Sequence, residues 1–377
     1  MEGDVVLLPE EERRPVIDPP TFKKMMSQSQ DLLTIREEES DPKFGSEPHK
    51  RSLSDYLNYG IIILDKPQGP TSHQVAAWVR KMLNLEKAGY SGTLDPPVSG
   101  ILPVGLGDAT KALTVLLFGP KEYVAVARIH DSVPDQLLRE TISQFTGSVY
   151  QKPPQRSSVR RATRTRHIYE LEILEKFGNL LLLRVLCEAG TYVRKLVYDI
   201  GEVLAVGATM AELRRTRVCQ FGEDVLVRLQ DLFESKANYE EKRDESGLRR
   251  VIRPVEEALN FLPKIIVRDS AVESICQGAQ LAVPGILSLS KALSKGDFVG
   301  LFTSKGEIIA IAEAQMAADE IRTQEHGIAA LTRRVIMKQG TYPRMWKTKG
   351  EAETLSEEML KDSILGSINT LGQGSKE

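Results

Sequence analysis

Residues 91–111 read SGTLDPPVSGILPVGLGDATK. The opening of this run, taken from residue 88 as AGYSGTLDPPVSG, is too rich in Gly, Pro and Ser for a helix and reads as loop. Asp95-Pro96 taken alone is a common turn former. Its setting gives it more weight. Gly92 permits a close approach of the backbone, and Pro96 and Pro97 stiffen the exit. An acid held on such a loop can face a bound molecule.

Elements of both kinds surround this loop. Upstream, Ile61 to Leu64 form a short apolar strand and DKPQGP a loop. Thr71 with Gln74 predicts a capping box, followed by Val75, Trp78, Val79, Met82 and Leu83 at helical spacing. Downstream, residues 122–129 read as a strand. Leu137, Leu138, Ile142 and Phe145 mark a helix between Pro134 and Gly147. Tyr169, Leu171 and Ile173 alternate with Glu170 and Glu172 as in a half-buried strand, and residues 180–187 make a fuller apolar one. Val193, Leu196, Val197, Ile200 and Leu204 predict an amphipathic helix, with Arg194 off its apolar positions. Thr209 and Glu212 predict the cap of a short helix after it. No regular βαβ repeat, GxGxxG or P-loop appears, so an α+β fold is favoured over a doubly wound one.

The remainder divides by composition. Residues 1–50 are polar and proline-punctuated and read as an irregular arm, either peripheral or packed on the second domain. Residues 234–247 are charged and read as either a surface helix or a connection. After Pro263 short strands dominate: 297–303, a turn at 304–306, 307–314 and 328–337. This predicts a small β-rich domain of about eighty to ninety residues. The domains are therefore set at 51–255 and 263–340, with a flexible tail at 347–377. At 377 residues, two domains plus tails is the natural division.

Composition is that of a globular protein, with 41% hydrophobic and 27% charged residues. No run of eighteen apolar residues is present, so no membrane span is expected. The opening MEGDVVLLPEEERR does not read as a secretory signal, and the cell interior is the default compartment. Three scattered cysteines form no disulfide framework, and no Cys or His pair has metal-ligand spacing. The net charge of −2 hides an asymmetry. QKPPQRSSVRRATRTR, residues 151–166, carries six cations and no acid, and residues 333–349 are also basic and acid-free. Either run alone is as well explained as a solvated face; both suit an anionic polymer.

Five segments, in order, resemble one family: LDKPQGPTS (64–72), SGTLDPPVSGILPVGLGDATK (91–111), KEYVAVARI (121–129), QKPPQRSSVRR (151–161) and CEAGTYVRKLVYDIG (187–201). The chain resembles the TruB–dyskerin family of pseudouridine synthases over roughly residues 50–345. GAQLAVPGI (278–286), TSKGEIIAIAEAQM (303–316) and HGIAALTRRVIM (326–337) are similar to a PUA domain, and TYPRMW (341–346) follows as in the archaeal and eukaryotic branch. The resemblance implies a mixed or antiparallel sheet flanked by helices, and a PUA pseudo-barrel. That branch is the catalytic subunit of H/ACA guide-RNA particles. The resemblance therefore implies RNA partners (tRNA, rRNA, H/ACA guide RNA) and the particle's core proteins. The tail is not lysine-rich, which favours an archaeal-like, cytoplasmic protein; a eukaryotic source would place it in the nucleolus.

The implied reaction breaks the bond from ribose C1′ to N1 of uracil, turns the base and rejoins it through C5. It needs an ionised carboxylate and no cofactor, metal or attacking water. The carboxylate either attacks C1′ or abstracts a ribose proton, and the sequence leaves both open. The resemblance places it at Asp95 and makes Arg194 its partner, a bidentate cation that aims it. It implies Tyr123 as the ring stacked on the target base, with Tyr192 and Leu213 beside it. Lys66 and Pro67 shape the adjoining loop. Base flipping is implied, because a stacked uridine is out of reach. Lys152, Arg160 and Arg161 are candidates for the substrate backbone, and Arg333, Arg334 and Lys338 for RNA at the PUA domain. Tyr90 stands where the family has His, so it can stack but cannot serve as a cation. Two other readings share these motifs: a stand-alone synthase acting on the tRNA T-loop, and a non-catalytic RNA scaffold.

Overall fold

Ile61 to Leu64 carry no polar residue because both faces of their strand are covered. The strand Gly60–Lys66 is buried throughout except at half-buried Asp65. In the computed structural model, which describes residues 17–29, 31–152 and 162–344, this strand lies second in a nine-stranded sheet. In order, the strands are Arg253–Pro254, Gly60–Lys66, Ser99–Leu106, Ala208–Val218, Lys121–Ile129, Leu180–Cys187, Arg164–Phe177 and Gly147–Gln151. Ala88–Tyr90 is added on Ser99–Leu106. Every pairing is antiparallel except the junction of Ser99 with Arg214 and Gly100 with Arg215, which runs parallel. The α+β expectation therefore holds, with a mixed sheet.

The capping box forms as read: Gln74 N donates to Thr71 Oγ1 at 3.1 Å, and Thr71 N to Gln74 Oε1 at 2.8 Å. The helix Ser72–Met82 buries Val75, Ala76 and Val79 against the sheet, while Trp78 at the margin of its stripe lies in solvent. The helix Val193–Val203 buries Val193, Leu196, Val197 and Ile200. The charged run near residue 240 is resolved as the helix Leu229–Lys242.

Three readings are corrected. Residues 88–90, read as loop, are a short strand, since the glycine-rich run begins inside the sheet. Thr209 and Glu212 cap no helix: Ala208–Val218 is a strand whose buried positions include Ala208, Leu213, Arg215 and Val218. The basic run LRRTR hid its alternation. The arm is also more regular than its composition suggested. Asp18 accepts from Thr21 N at 2.7 Å and caps the helix Pro19–Gln28, and Phe22 packs on Phe261 with ring centroids 4.9 Å apart. The following strand Leu32–Thr34 pairs with Ile286–Ser290.

That pairing makes the arm the edge of a second, seven-stranded sheet. Its order continues from Ile286–Ser290 through Lys264–Val267, Phe298–Thr303, Ile308–Ala314 and Ile328–Val335 to Leu281–Ala282. The two sheets share one apolar cluster, in which Ile61, Ile101 and Phe261 meet Phe302, Ile308, Ile311 and Ile336. Polar contacts reinforce the junction. Buried Arg51 donates two bonds to buried Glu256, at 2.6 and 3.1 Å, and Glu256 Oε1 also accepts Ile308 N at 3.1 Å. Tyr59 Oη accepts Lys338 N at 2.9 Å. The tail 347–377 lies outside the described residues.

Two outcomes follow. Glu256→Ala strands a buried arginine and an amide together, so stability should fall by about 3 kcal/mol in a denaturant titration; a loss below about 1 kcal/mol would contradict the role given to this pair. Burial pushes the Tyr59 phenol from 10.0 up to about 12. An acid raised on folding contributes stability that is complete below pH 10 and lost as pH rises through 12. Tyr59→Phe should therefore flatten the alkaline fall in melting temperature between those values.

Candidate active site

Lys66 ends the first long strand with its ammonium buried, and it needs acceptors there. It finds three carbonyls: Pro67 at 2.9 Å, Pro96 at 3.2 Å and Val98 at 2.8 Å. Two of these closely follow Asp95. Burial lowers the Lys66 pKa, and the nearby Asp95 charge opposes that shift. The other end of the loop is held by Ser72, whose hydroxyl accepts Leu94 N at 2.9 Å and donates to Leu94 O at 3.0 Å. Gly69 N donates to Pro96 O at 2.8 Å, and Val98 N closes a turn onto Asp95 O at 3.0 Å. Gly92 has φ of +69° and Gly100 of +102°, and a Cβ on Gly100 would sit 2.2 Å from Arg215 O. The loop is thus tied at both ends, with the Asp95 side chain left 57% exposed at its apex.

Arg194 reaches that carboxylate from the first turn of the helix Val193–Val203, Nη2 to Oδ2 at 2.9 Å, and is itself 50% exposed. Buried Gln151 fixes the start of the helix by clasping the Tyr192 backbone, accepting its N–H at 2.8 Å and donating to its carbonyl at 3.1 Å. Arg166 pairs with Glu188 at 3.0 Å, and the Thr191 hydroxyl donates to Glu188 O at 2.7 Å, which steadies the preceding turn. One apolar cluster contains Leu94, Val98, Tyr123, Val193 and Leu213. Tyr123 and Leu213 are each 9% exposed. Burial raises the Tyr123 pKa, and the adjacent Arg215 guanidinium works against that rise. An open ion pair thus stands beside a nearly closed apolar patch that holds one phenol.

The chain is similar to known proteins over most of its length. Residues 80–136 match the TruB family pseudouridylate synthase N-terminal domain, and 194–260 the tRNA pseudouridylate synthase B C-terminal domain. Residues 263–336 match the PUA domain and 21–76 the DKCLD domain. The chain is 48% identical to the probable tRNA pseudouridine synthase B of Pyrobaculum aerophilum, over 88% of this chain and 99% of that one. The chain belongs to the TruB family of pseudouridine synthases. A second probable tRNA pseudouridine synthase B, from Methanosarcina barkeri, is 50% identical over 82% of this chain and 92% of its own. Among solved structures, an H/ACA RNP bound to a substrate RNA containing 2′-deoxyuridine aligns at TM-score 0.78 and 42% identity, covering 85% of this chain and 99% of that one. A Cbf5-Nop10-Gar1 complex aligns at TM-score 0.78 and 43% identity, covering 85% and 98%.

In this synthase the structure gathers Asp95, Arg194, Tyr123 and Leu213, with Tyr192 at the head of the Arg194 helix. Tyr90, expected as a ring that can stack on the substrate, lies in a different apolar cluster from Tyr123. It is 5% exposed in a cluster with Val75, Val79 and Val104. Lys152 is exposed at the end of the strand Gly147–Gln151, while Arg160 and Arg161 lie outside the described residues. Arg333, Arg334 and Lys338 sit on or just after the strand Ile328–Val335. Arg333 is tied to Glu313 at 2.6 Å, Arg334 is half-buried and Lys338 is exposed. Sequence reading missed Gln151 as a clasp and Arg215 as a buried neighbour of Tyr123. Once Ala208–Val218 is a strand, Arg215, two residues beyond Leu213, shares its face.

Lys66→Met removes the ammonium and leaves the carbonyls of Pro67 and Val98 without it. Its expected effects are a stability loss of about 2 kcal/mol and a fall in kcat of at least roughly 10-fold as the loop loosens. RNA affinity should be little changed. Filter binding and single-turnover assays check this, and wild-type kcat in the variant would show that Lys66 does not hold the loop.

Proposed function

We propose that Asp95 is the carboxylate with which this synthase converts uridine to pseudouridine, on uridines chosen chiefly by an H/ACA guide RNA. The observation that carries the first part is the exposed Asp95–Arg194 pair beside Tyr123 and Leu213. A ribose reaching Asp95 brings its base over the apolar patch, where an uncharged ring is favoured and water is largely excluded. The nucleotide must be extruded from its stack to get there. The glycosidic bond to N1 then breaks, the uracil turns against Tyr123 and Leu213, and C5 bonds to C1′. The C5 proton is lost and N1 regains one, so the atoms balance as an isomerisation. Arg194 meanwhile keeps the carboxylate aimed as charge shifts around it.

The guide-RNA reading rests on the two H/ACA-type structures, each of which spans nearly the whole of its own chain in the alignment. One is a Cbf5-Nop10-Gar1 complex and the other an H/ACA RNP bound to a substrate RNA, and proteins and RNA of these kinds are the partners proposed here. The PUA domain and the exposed Lys152 would grip RNA backbone. A second reading has its own support: the curated relatives are named as tRNA pseudouridine synthases. In that case the protein alone acts on tRNA.

Tritium release from C5-labelled uridine tests both parts. Asp95→Asn should reduce release to background while RNA binding persists; retained turnover in that variant would exclude Asp95. Release only with guide RNA and partner proteins supports the guided reading, and release from a tRNA transcript by protein alone supports the second.

A further inference from the structure

Arg215 is 2% exposed, and among the described residues no carboxylate is ion-paired with it. A buried guanidinium without a countercharge is costly, and neutral donors would satisfy backbone carbonyls at less expense. Its placement depends on an irregularity in the sheet. Val218 opposes Lys121 and Arg217 opposes Glu122, so a regular ladder would set Thr216 against Tyr123. A bulge between Glu122 and Tyr123 sets Arg215 there instead, and bulges beside active sites commonly re-aim a side chain. Nε donates to Ile101 O at 2.8 Å and Nη2 to Gly92 O at 2.8 Å. Nη1 faces Gly92, where a Cβ would lie 3.0 Å away. Arg215 stands directly across the strand pair from Tyr123, and its charge acts on the buried phenol.

We infer that Arg215 is a positioning residue for the isomerisation, holding the Tyr123 hydroxyl in place from behind while it pins the Gly92 end of the Asp95 loop. A guanidinium N–H donated to the phenol oxygen would turn the phenol's own proton away from Arg215, toward the reacting nucleotide. The cation also stabilises negative charge that develops on that oxygen, consistent with its opposition to the burial-raised Tyr123 pKa. Neither the ammonium of lysine nor the amide of glutamine can span Ile101 O, Gly92 O and Tyr123 together. This inference rests on the proposal that Asp95 and Tyr123 form the reacting site.

The test is a double-mutant cycle on the full chain, in the C5-tritium assay, with whatever RNA and partner proteins support wild-type turnover. Arg215→Lys and Arg215→Gln are made in both the wild-type and Tyr123→Phe backgrounds, so that either folded variant decides. In the wild-type background kcat should fall roughly 100-fold, with KM and RNA affinity within about 3-fold. In the Tyr123→Phe background the same substitution should cost at least about 10-fold less than in the wild type, the remainder being the part that acts through the Gly92 carbonyl. Equal losses in both backgrounds would mean that Arg215 does not act through Tyr123, and wild-type kcat in either folded variant would also overturn the inference. Asp95→Asn, measured alongside, separates the two claims: turnover there removes the Asp95 reading, whereas the cycle judges Arg215.

Discussion

An ammonium buried at the end of a strand has to be satisfied by whatever backbone lies within reach. Lys66 is in that position, and the carbonyls it takes are those of Pro67, Pro96 and Val98. The consequence is architectural. A loop that contains two prolines, and so has few amides of its own to donate, is drawn onto the edge of the sheet. Ser72 and Arg215 secure its other end through Leu94 and Gly92. The apex carrying Asp95 is then the one part left open to solvent. Rigidity behind and exposure in front is the combination that lets a carboxylate meet a flipped nucleotide without a large ordering cost.

The rest of the molecule supports this geometry in layers. Gln151 and Glu188 set the helix start from which Arg194 projects, and the central strands supply Tyr123 and Leu213. The second sheet is not a loosely tethered appendage. It shares an apolar cluster with the first, and Glu256 joins Arg51 to the Ile308 amide across the junction. The arm adds its own ties. Glu307 accepts the Tyr342 hydroxyl at 2.8 Å and Ser46 N at 3.0 Å, and Asp269 accepts the Ser40 hydroxyl at 2.8 Å. RNA held at the PUA domain would thereby stand in a fixed relation to the site in the first sheet.

Much of this was legible in the residues. The mixed α+β character followed from Ile61–Leu64, the Thr71–Gln74 box and the apolar spacing from Val193 to Leu204, because each obeys a local rule. The pair of Asp95 with Arg194, nearly one hundred residues apart, obeys no local rule and came from the resemblance alone. Leu32–Thr34 and Ala88–Tyr90 are too short to show alternation, and their strand character comes from their partners. The strand Ala208–Val218 was obscured because it turns an arginine inward, and inward arginines look like surface residues until a carbonyl cage is seen around them. Tyr90 illustrates the opposite case, a motif position buried among Val75, Val79 and Val104.

The claim on which all of this depends is that the Asp95 loop is rigid before RNA arrives. Amide hydrogen exchange of the free protein measures it directly, read by mass spectrometry on overlapping peptides that span residues 90–99. Leu94 N and Val98 N, bonded to Ser72 Oγ and Asp95 O, should exchange as slowly as the amides of the strand Gly60–Lys66, and Lys66→Met should release them. Rapid exchange of both amides in the wild-type protein, at the rate of an unstructured peptide, would contradict the account.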